Sequence, residues 1–301
     1  MSCGPERMAA LGGLPGEWRE DEPLARHVTL GVGGPARWFF RPAHRQAVVE
    51  VMRRLPEGVP VLPLGRGSNL LPPDEGFPGL VVDMSGLADL RVDGRRIEAG
   101  AGVRMSRLAR VAADAGLAGV EFMATVPGDV GGGVAMNAGA FGQAVADTLQ
   151  WVDVALPGGK TRRLDATELD MGYRRARLPR GALVLAARFG LAVDAPEAIR
   201  RRMREMRRRR GETQPLAQPN CGSVFKNPEG DFAARLIEAA GLKGLRVGGA
   251  CISEIHANFI INEGGATSRD VRALIARAQC EVEARFGVRL EPEVRILEAD
   301  G

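Results

Sequence analysis

The chain has 301 residues, 45% of them hydrophobic and 26% charged, with a formal net charge of +4. This is the profile of a soluble globular protein with enough apolar side chains for a full core and room for two or three domains. No apolar run is long enough to cross a bilayer. Cys3, Cys221, Cys251 and Cys280 are too widely spaced, with no Cys-x-x-Cys pair, for a structural zinc site or a disulfide framework, and no metal is expected.

The first sixteen residues, "MSCGPERMAALGGLPG", place glycine, proline and an acid where a signal peptide has a continuous apolar segment. Residues 1–16 therefore read as a mobile tail, with Met8 as an alternative start, and the protein as cytoplasmic. From Val59 to Gly100, short apolar runs alternate with turns ("VPVLPLG", "GLVVDMSG", "RRIEAGAG"), which predicts strands. "VRMSRLARVAADAGLAG" follows with Leu108, Val111, Ala112 and Ala115 at helical spacing and a stop at Gly116. "LQWVDVALPGGKTRRLD" reads as a hairpin turning on Pro157, Gly158 and Gly159, and "GALVLAARFGLAV" as a further strand.

A boundary falls at Asp194. With Glu197 it predicts a capping box, and Pro196 sits in the first helical turn, where a missing N–H costs little. The helix "EAIRRRMREMRRRR" carries Ile199, Met203 and Met206 on one face and is expected to end at Gly211. Beyond it, Asp231 is placed to cap "FAARLIEAAG", and "HANFIINEGG" alternates as a strand. Thr267 and Asp270 form a box opening a helix with an apolar stripe of Val271, Leu274, Ile275, Ala278, Val282 and Phe286. The closing "VRLEPEVRILEADG" is a strand interrupted by Pro292, which suits an edge or a crossing between domains. Cys251 and Cys280 read as small buried side chains.

Nearly all the positive charge is arginine, with Lys160, Lys226 and Lys243 as the lysines. Arginine grips phosphate through two donors, so anionic ligands fit; a genome-wide compositional bias explains the same excess with no function. The run from Arg200 to Arg210 suits nucleic acid by charge alone. Without interleaved aromatic residues it reads better as the solvated face of a docked helix.

Three segments suit close backbone contact with a ligand: "TLGVGGPA", "LGRGSNLL" and "VPGDVGGGVAMNAGAFG". Glycine permits positive φ and lets main-chain N–H groups converge on an anion. The candidates are Gly33 and Gly34; Gly65, Gly67, Ser68 and Asn69; and Pro127, Gly128, Gly132, Asn137, Ala138 and Gly139. None of the loops is a dinucleotide fingerprint followed by a helix, or a Walker loop. Together they predict a large cofactor carrying a pyrophosphate. Ser223, in "PNCGSVFKNPEG", could attack, donate a proton or cap a turn; no G-x-S-x-G elbow or triad context supports the first.

"LGRGSNLL", "VPGDVGGGVAMNAGAFG", "GYRRARLP", "CGSVFKNP", "HANFIINEGGAT" and "LEPEVRIL" occur in the order found in UDP-N-acetylenolpyruvoylglucosamine reductases. The chain resembles that family from about Thr29 to Leu297, in the shorter type that lacks a tyrosine-bearing insertion. The resemblance implies an α+β fold: a two-part FAD-binding region of the vanillyl-alcohol-oxidase-like (PCMH) type and a smaller α+β substrate domain. The division expected is 17–64, joined by the strand 293–299, then 65–193, with the linker helix and substrate domain over 194–292. It implies non-covalent FAD, NADPH as co-substrate and UDP-N-acetylenolpyruvoylglucosamine as substrate, reduced to UDP-N-acetylmuramate for peptidoglycan, with no nucleic-acid partner and no membrane insertion.

By the same resemblance Ser223 matches the proton donor and Arg174 the arginine that holds the substrate carboxylate. Glu293 matches an active-site glutamate. Lys226 and Asn227 match groups that hold the UDP diphosphate, Tyr173 one that packs on the nucleotide, and His256 and Asn258 are weaker substrate candidates. "YRRAR" departs from many relatives, which have a hydroxyl where this chain has Ala176. The rival readings are another oxidoreductase or oxidase of the same flavin-binding superfamily, against which no covalent-attachment histidine lies in the glycine loops, and an arginine-rich nucleic-acid-binding protein.

Overall fold

The computed structural model describes Leu11 and residues 13–298. The chain divides into two compact units. One is built from Met1–Glu20, Trp38–Gly65 and Gly79–Arg208, the other from Asp21–Arg37, Arg66–Pro78 and Arg209–Gly301. No helix among the described residues is long and apolar enough to cross a membrane.

The first unit is organised on a five-stranded antiparallel sheet, in the order Thr161–Asp165, Leu149–Ala155, Leu183–Gly190, Arg96–Gly100 and Leu90–Asp93. Leu149–Ala155 and Leu183–Gly190 are buried along almost their whole length, so their sequences are nearly continuous apolar runs rather than alternating ones. The hairpin joining Thr161–Asp165 to Leu149–Ala155 turns on Pro157–Gly159, where the sequence puts it. A second sheet has the order Gly16–Pro23, Pro35–Pro42, Phe77–Asp83 and Val61–Leu64, with the last pair parallel.

Helix Met105–Asp114 buries Met105, Leu108, Ala109, Ala112 and Ala113, while Val111 is half-buried and Ala115 exposed. The buried stripe is thus rotated by one position from the expected one. The helix does stop where predicted, at Gly116 with φ +67°. Leu11 and Leu14 are buried in this unit's core. That part of the expected tail is docked, while residues 1–10 and 12 lie outside the described residues.

The linker helix spans Pro196–Thr213 and runs past Gly211 to a stop before Pro215. The expected capping box is not formed. One Asp194 oxygen accepts from Ala195 N at 2.7 Å, the other pairs with Arg202 at 2.6 Å, and Glu197 pairs with Arg200. Arg202 also reaches the buried carboxylate of Glu121 at 2.7 Å, and Arg208 pairs with Glu205.

The second unit carries an antiparallel sheet in the order Asn220–Ser223, Phe259–Asn262, Ala250–Ile252 and Arg246–Val247. Helices Ala233–Ala239 and Ser268–Phe286 share its core, with Leu236, Ile237, Ile252, Ile260, Leu274 and Ile275 buried together. The Thr267–Asp270 box forms as predicted, with Asp270 N donating to Thr267 Oγ1 at 3.1 Å and Thr267 N to Asp270 Oδ2 at 2.9 Å. The predicted stripe is buried except for Phe286, which sits in the last turn and is 39% exposed. Cys251 is buried as expected, but Cys280 lies on the helix's exposed face. Asp231 does not cap its helix; it accepts from Phe232 N and pairs with Arg235, and Ala233 N donates to Asn227 Oδ1 at 3.1 Å.

One long-range contact was not foreseen. Asp74, on the loop after Leu70–Leu71, accepts from Ser268 N at 2.7 Å and Arg269 N at 2.9 Å. These are otherwise orphaned donors at the start of a helix, where a carboxylate also faces the favourable end of the helix dipole. Asp74→Ala is expected to destabilise the protein by about 1–2 kcal/mol in urea unfolding. Unchanged stability would show that the contact contributes nothing.

Candidate active site

In the second unit the site is built from three segments. Ser223 closes the strand Asn220–Ser223 and is half-buried, directly after Gly222, whose φ is +76°. The next residue ties this strand to the segment carrying Glu293. Val224 O accepts from Glu293 N at 2.8 Å and from Val294 N at 3.2 Å, while Lys226 N donates to Glu291 O at 2.9 Å. Phe225 and Pro292 form an isolated bridge between these lines. The third segment is the loop Leu64–Leu71. Asn69 Nδ2 donates to Glu293 O at 3.0 Å, Arg295 N donates to Asn69 O at 3.0 Å, and Arg295–Ile296 then runs parallel to Leu70–Leu71. Both main-chain groups of Glu293 are thus held, which sets where its half-buried side chain departs from the chain.

Several predicted site residues are engaged with other groups of the chain. Asn258 is 3% exposed, its Oδ1 accepting from Phe225 N at 2.9 Å and its Nδ2 donating to Phe225 O at 2.8 Å. Its amide therefore copies a strand partner for buried backbone and clasps the segment that follows Ser223. Asn69 is likewise committed to Glu293 through its side chain, and Gly34 donates its N–H to Pro73 O at 2.8 Å. His256 Nδ1 accepts from Asn258 N at 3.3 Å, and burial pushes its imidazole below the usual 6.5. Lys226 is half-buried and paired with the exposed Glu291, so an anion would exchange one partner for another. Burial pushes the Cys221 thiol up to about 12, which leaves it inert beside Ser223.

In the first unit, Tyr173 and Arg174 form the tip of a four-residue turn. Gly172 N donates to Arg175 O at 2.9 Å and Arg175 N to Gly172 O at 3.1 Å. Arg174 has φ +54°, at the third residue of the turn, where glycine or asparagine is normal. A left-handed arginine costs of the order of 1 kcal/mol and marks a position the fold holds against local preference. Tyr173 is 57% exposed, with the Arg174 guanidinium 5.2 Å from its ring centre. Asn137, predicted as a cofactor ligand, is buried; its side chain is spent on Gly172 O and Ala146 N. Ala138 and Gly139 belong to a small hairpin of the same loop, with Gly139 facing Ala144.

The glycine run of the first unit, expected as a loop, is folded as the short helix Val130–Ala135. Gly131 and Gly133 have internal reasons to be glycine: a Cβ would stand 3.0 Å from Ala101 Cβ and 2.8 Å from Met105 Sδ. Gly132, exposed between them, would place a Cβ with no atom within 4 Å other than those of its chain neighbours and its own helix backbone. No packing demand within the protein explains glycine there, whereas close approach of a planar ligand does. In the second unit Gly67 has φ +59°, and a Cβ there would stand 2.6 Å from His27 O, so the loop beside Ser68 requires glycine.

The chain is an FAD-dependent oxidoreductase by its similarity to known proteins. Family models agree: residues 36–165 match an FAD binding domain, and residues 214–297 match the C-terminal domain of UDP-N-acetylenolpyruvoylglucosamine reductase. The chain is 47% identical over 284 residues to the UDP-N-acetylenolpyruvoylglucosamine reductase of Alkalilimnicola ehrlichii, covering 94% of this chain and 95% of that one. It is 45% identical to that of Heliobacterium modesticaldum, covering 95% and 92%. The crystal structure of the Thermus caldophilus reductase (MurB) superposes with a TM-score of 0.80 at 37% identity, covering 95% of this chain and all of that one. The chain belongs to the UDP-N-acetylenolpyruvoylglucosamine reductase family.

If Asn258 is a clasp, Asn258→Ala leaves two buried groups of Phe225 unpaired and costs about 2–4 kcal/mol of stability. Below its melting temperature the variant is expected to keep a near-native KM for the sugar nucleotide. A large KM increase with native stability would return Asn258 to the substrate.

Proposed function

We propose that the chain reduces UDP-N-acetylenolpyruvoylglucosamine to UDP-N-acetylmuramate with NADPH through non-covalently bound FAD, in peptidoglycan precursor synthesis in the cytoplasm. The observation that carries this reading is family membership along almost the whole chain, together with a site whose parts suit the reaction. When bound, FAD would supply the hydride chemistry that links NADPH to the β-carbon of the enolpyruvyl ether, with Ser68 and Gly132 among the residues proposed to hold it. The protein must then supply a proton to the α-carbon and stabilise an enolate-like charge on the carboxylate.

Arg174 offers a permanent charge with two parallel donors, which matches a carboxylate that gains negative character as the double bond is consumed. Its strained turn holds that charge in place before the reaction, so the cost of ordering it is met during folding. Ser223 gives its hydroxyl proton to the α-carbon. Glu293, on the segment bonded to Val224, hydrogen-bonds the reacting end and polarises it. Hydride and proton together saturate the double bond, and the serine recovers a proton from solvent. Lys226 would leave Glu291 to meet the diphosphate, Asn227 adds a donor, and Tyr173 presents an exposed ring to the nucleotide. The pairing of Arg200, Arg202 and Arg208 with carboxylates supports a docking and solvation role for the arginine helix over nucleic-acid binding.

Ser223→Ala tests the chemical assignment. NADPH should bleach the flavin of the variant at the wild-type rate, while recovery of colour on adding the enolpyruvyl sugar slows by roughly 10²–10⁴-fold. Equal losses in both half-reactions, or no loss in the second, would remove Ser223 from the proton-transfer step.

A further inference from the structure

We propose that Asn137 is a positioning residue for Arg174, holding the arginine turn against the glycine loop; this rests on the carboxylate-binding role given to Arg174 above. Gly172 O receives two donors, Arg175 N from within the turn at 3.1 Å and Asn137 Nδ2 from the glycine loop at 2.8 Å. Thirty-five residues separate Asn137 from Gly172, so no local rule of turn formation supplies this bond. The other end of the amide is fixed too, since Ala146 N donates to Asn137 Oδ1 at 2.9 Å. A buried side chain with donor and acceptor both committed has no rotamer to exchange into without leaving a polar group unpaired.

The backbone of Asn137 is also fixed. Its φ is +41°, a left-handed value that asparagine tolerates better than most residues, and its N–H donates to Val134 O at 3.0 Å. The strut therefore begins from a rigid point on the glycine loop and ends at the base of the turn. At the tip, Arg174 is itself left-handed, at φ +54°. A turn with an unfavourable third residue would relax toward ordinary φ values if its base were free, carrying the guanidinium with it. Asn137 removes that freedom. Placement of the segment that carries Asn137 and of Arg174 then becomes one event.

The test uses the FAD-loaded full chain with Asn137→Asp and Asn137→Gly, alone and combined with Arg174→Ala. Aspartate keeps an acceptor for Ala146 N but sets an oxygen against Gly172 O. Glycine suits the left-handed backbone and answers if the aspartate variant fails to fold. Each single variant should keep its flavin and near-native reduction by NADPH, while reoxidation by UDP-N-acetylenolpyruvoylglucosamine slows roughly 10–100-fold. In the Arg174→Ala background the same changes should cost nothing more, because a residue acting through Arg174 has nothing left to position. Amide exchange at Arg175, whose N–H donates to Gly172 O, should speed up in Asn137→Gly. Native reoxidation in the single variants, a full additional loss in the double variants, or unchanged exchange at Arg175 would each overturn the positioning role. Native reoxidation in Arg174→Ala would instead overturn the role of Arg174, and this inference with it.

Discussion

The carbonyl of Val224 is the point on which the second unit's site depends. It accepts two main-chain N–H groups, from Glu293 and Val294, and the preceding residue is Ser223. Two candidate catalytic side chains from opposite ends of the segment Arg209–Gly301 are thereby held on adjacent lines of backbone. Around this bond the structure adds Asn258, which grips the peptide of Phe225 from one side, and Asn69, which grips Glu293 O from the other. The candidate catalytic side chains are carried on hydrogen-bonded backbone, so their positions follow from the fold rather than from contact with a ligand.

The first unit uses a different device to the same end. There a left-handed arginine is kept at a turn tip by bonds at the turn's base, and a run of three glycines combines two packing constraints with one open position. Strain at Arg174 and open space at Gly132 have the same meaning. Each is a local choice that the polypeptide alone does not favour, and that a bound partner makes sensible.

What the sequence revealed follows from how locally each feature is encoded. The helix Ser268–Phe286 was legible because its box and its stripe lie within a few residues of each other. The hairpin at Pro157–Gly159 was legible for the same reason. Asp194 and Glu197 have the spacing of a box, yet Arg202 and Arg200 compete for their carboxylates, and the stronger charge-assisted bonds win. The arginine-rich face has partners that no local spacing points to, since Glu121 and Asp114 are far away in sequence.

The asparagines show where sequence reading stops. Asn69, Asn137 and Asn258 all sit in motifs that suggest a ligand, and all three spend amide groups on distant backbone. An amide carries the same donor and acceptor for a peptide as for a substrate, so residue type cannot separate the two uses. The distinguishing quantity is burial together with partners 33 to 224 residues away, which only the folded chain supplies.

The most direct measurement is an anaerobic absorption trace of the purified protein, with NADPH added first and UDP-N-acetylenolpyruvoylglucosamine second. The account predicts a yellow protein that bleaches with NADPH and regains its flavin spectrum with the enolpyruvyl sugar, in proportion to the UDP-N-acetylmuramate formed. Bleaching without recovery would contradict the assigned substrate, and a protein that stays colourless after FAD is supplied would contradict the flavin chemistry itself.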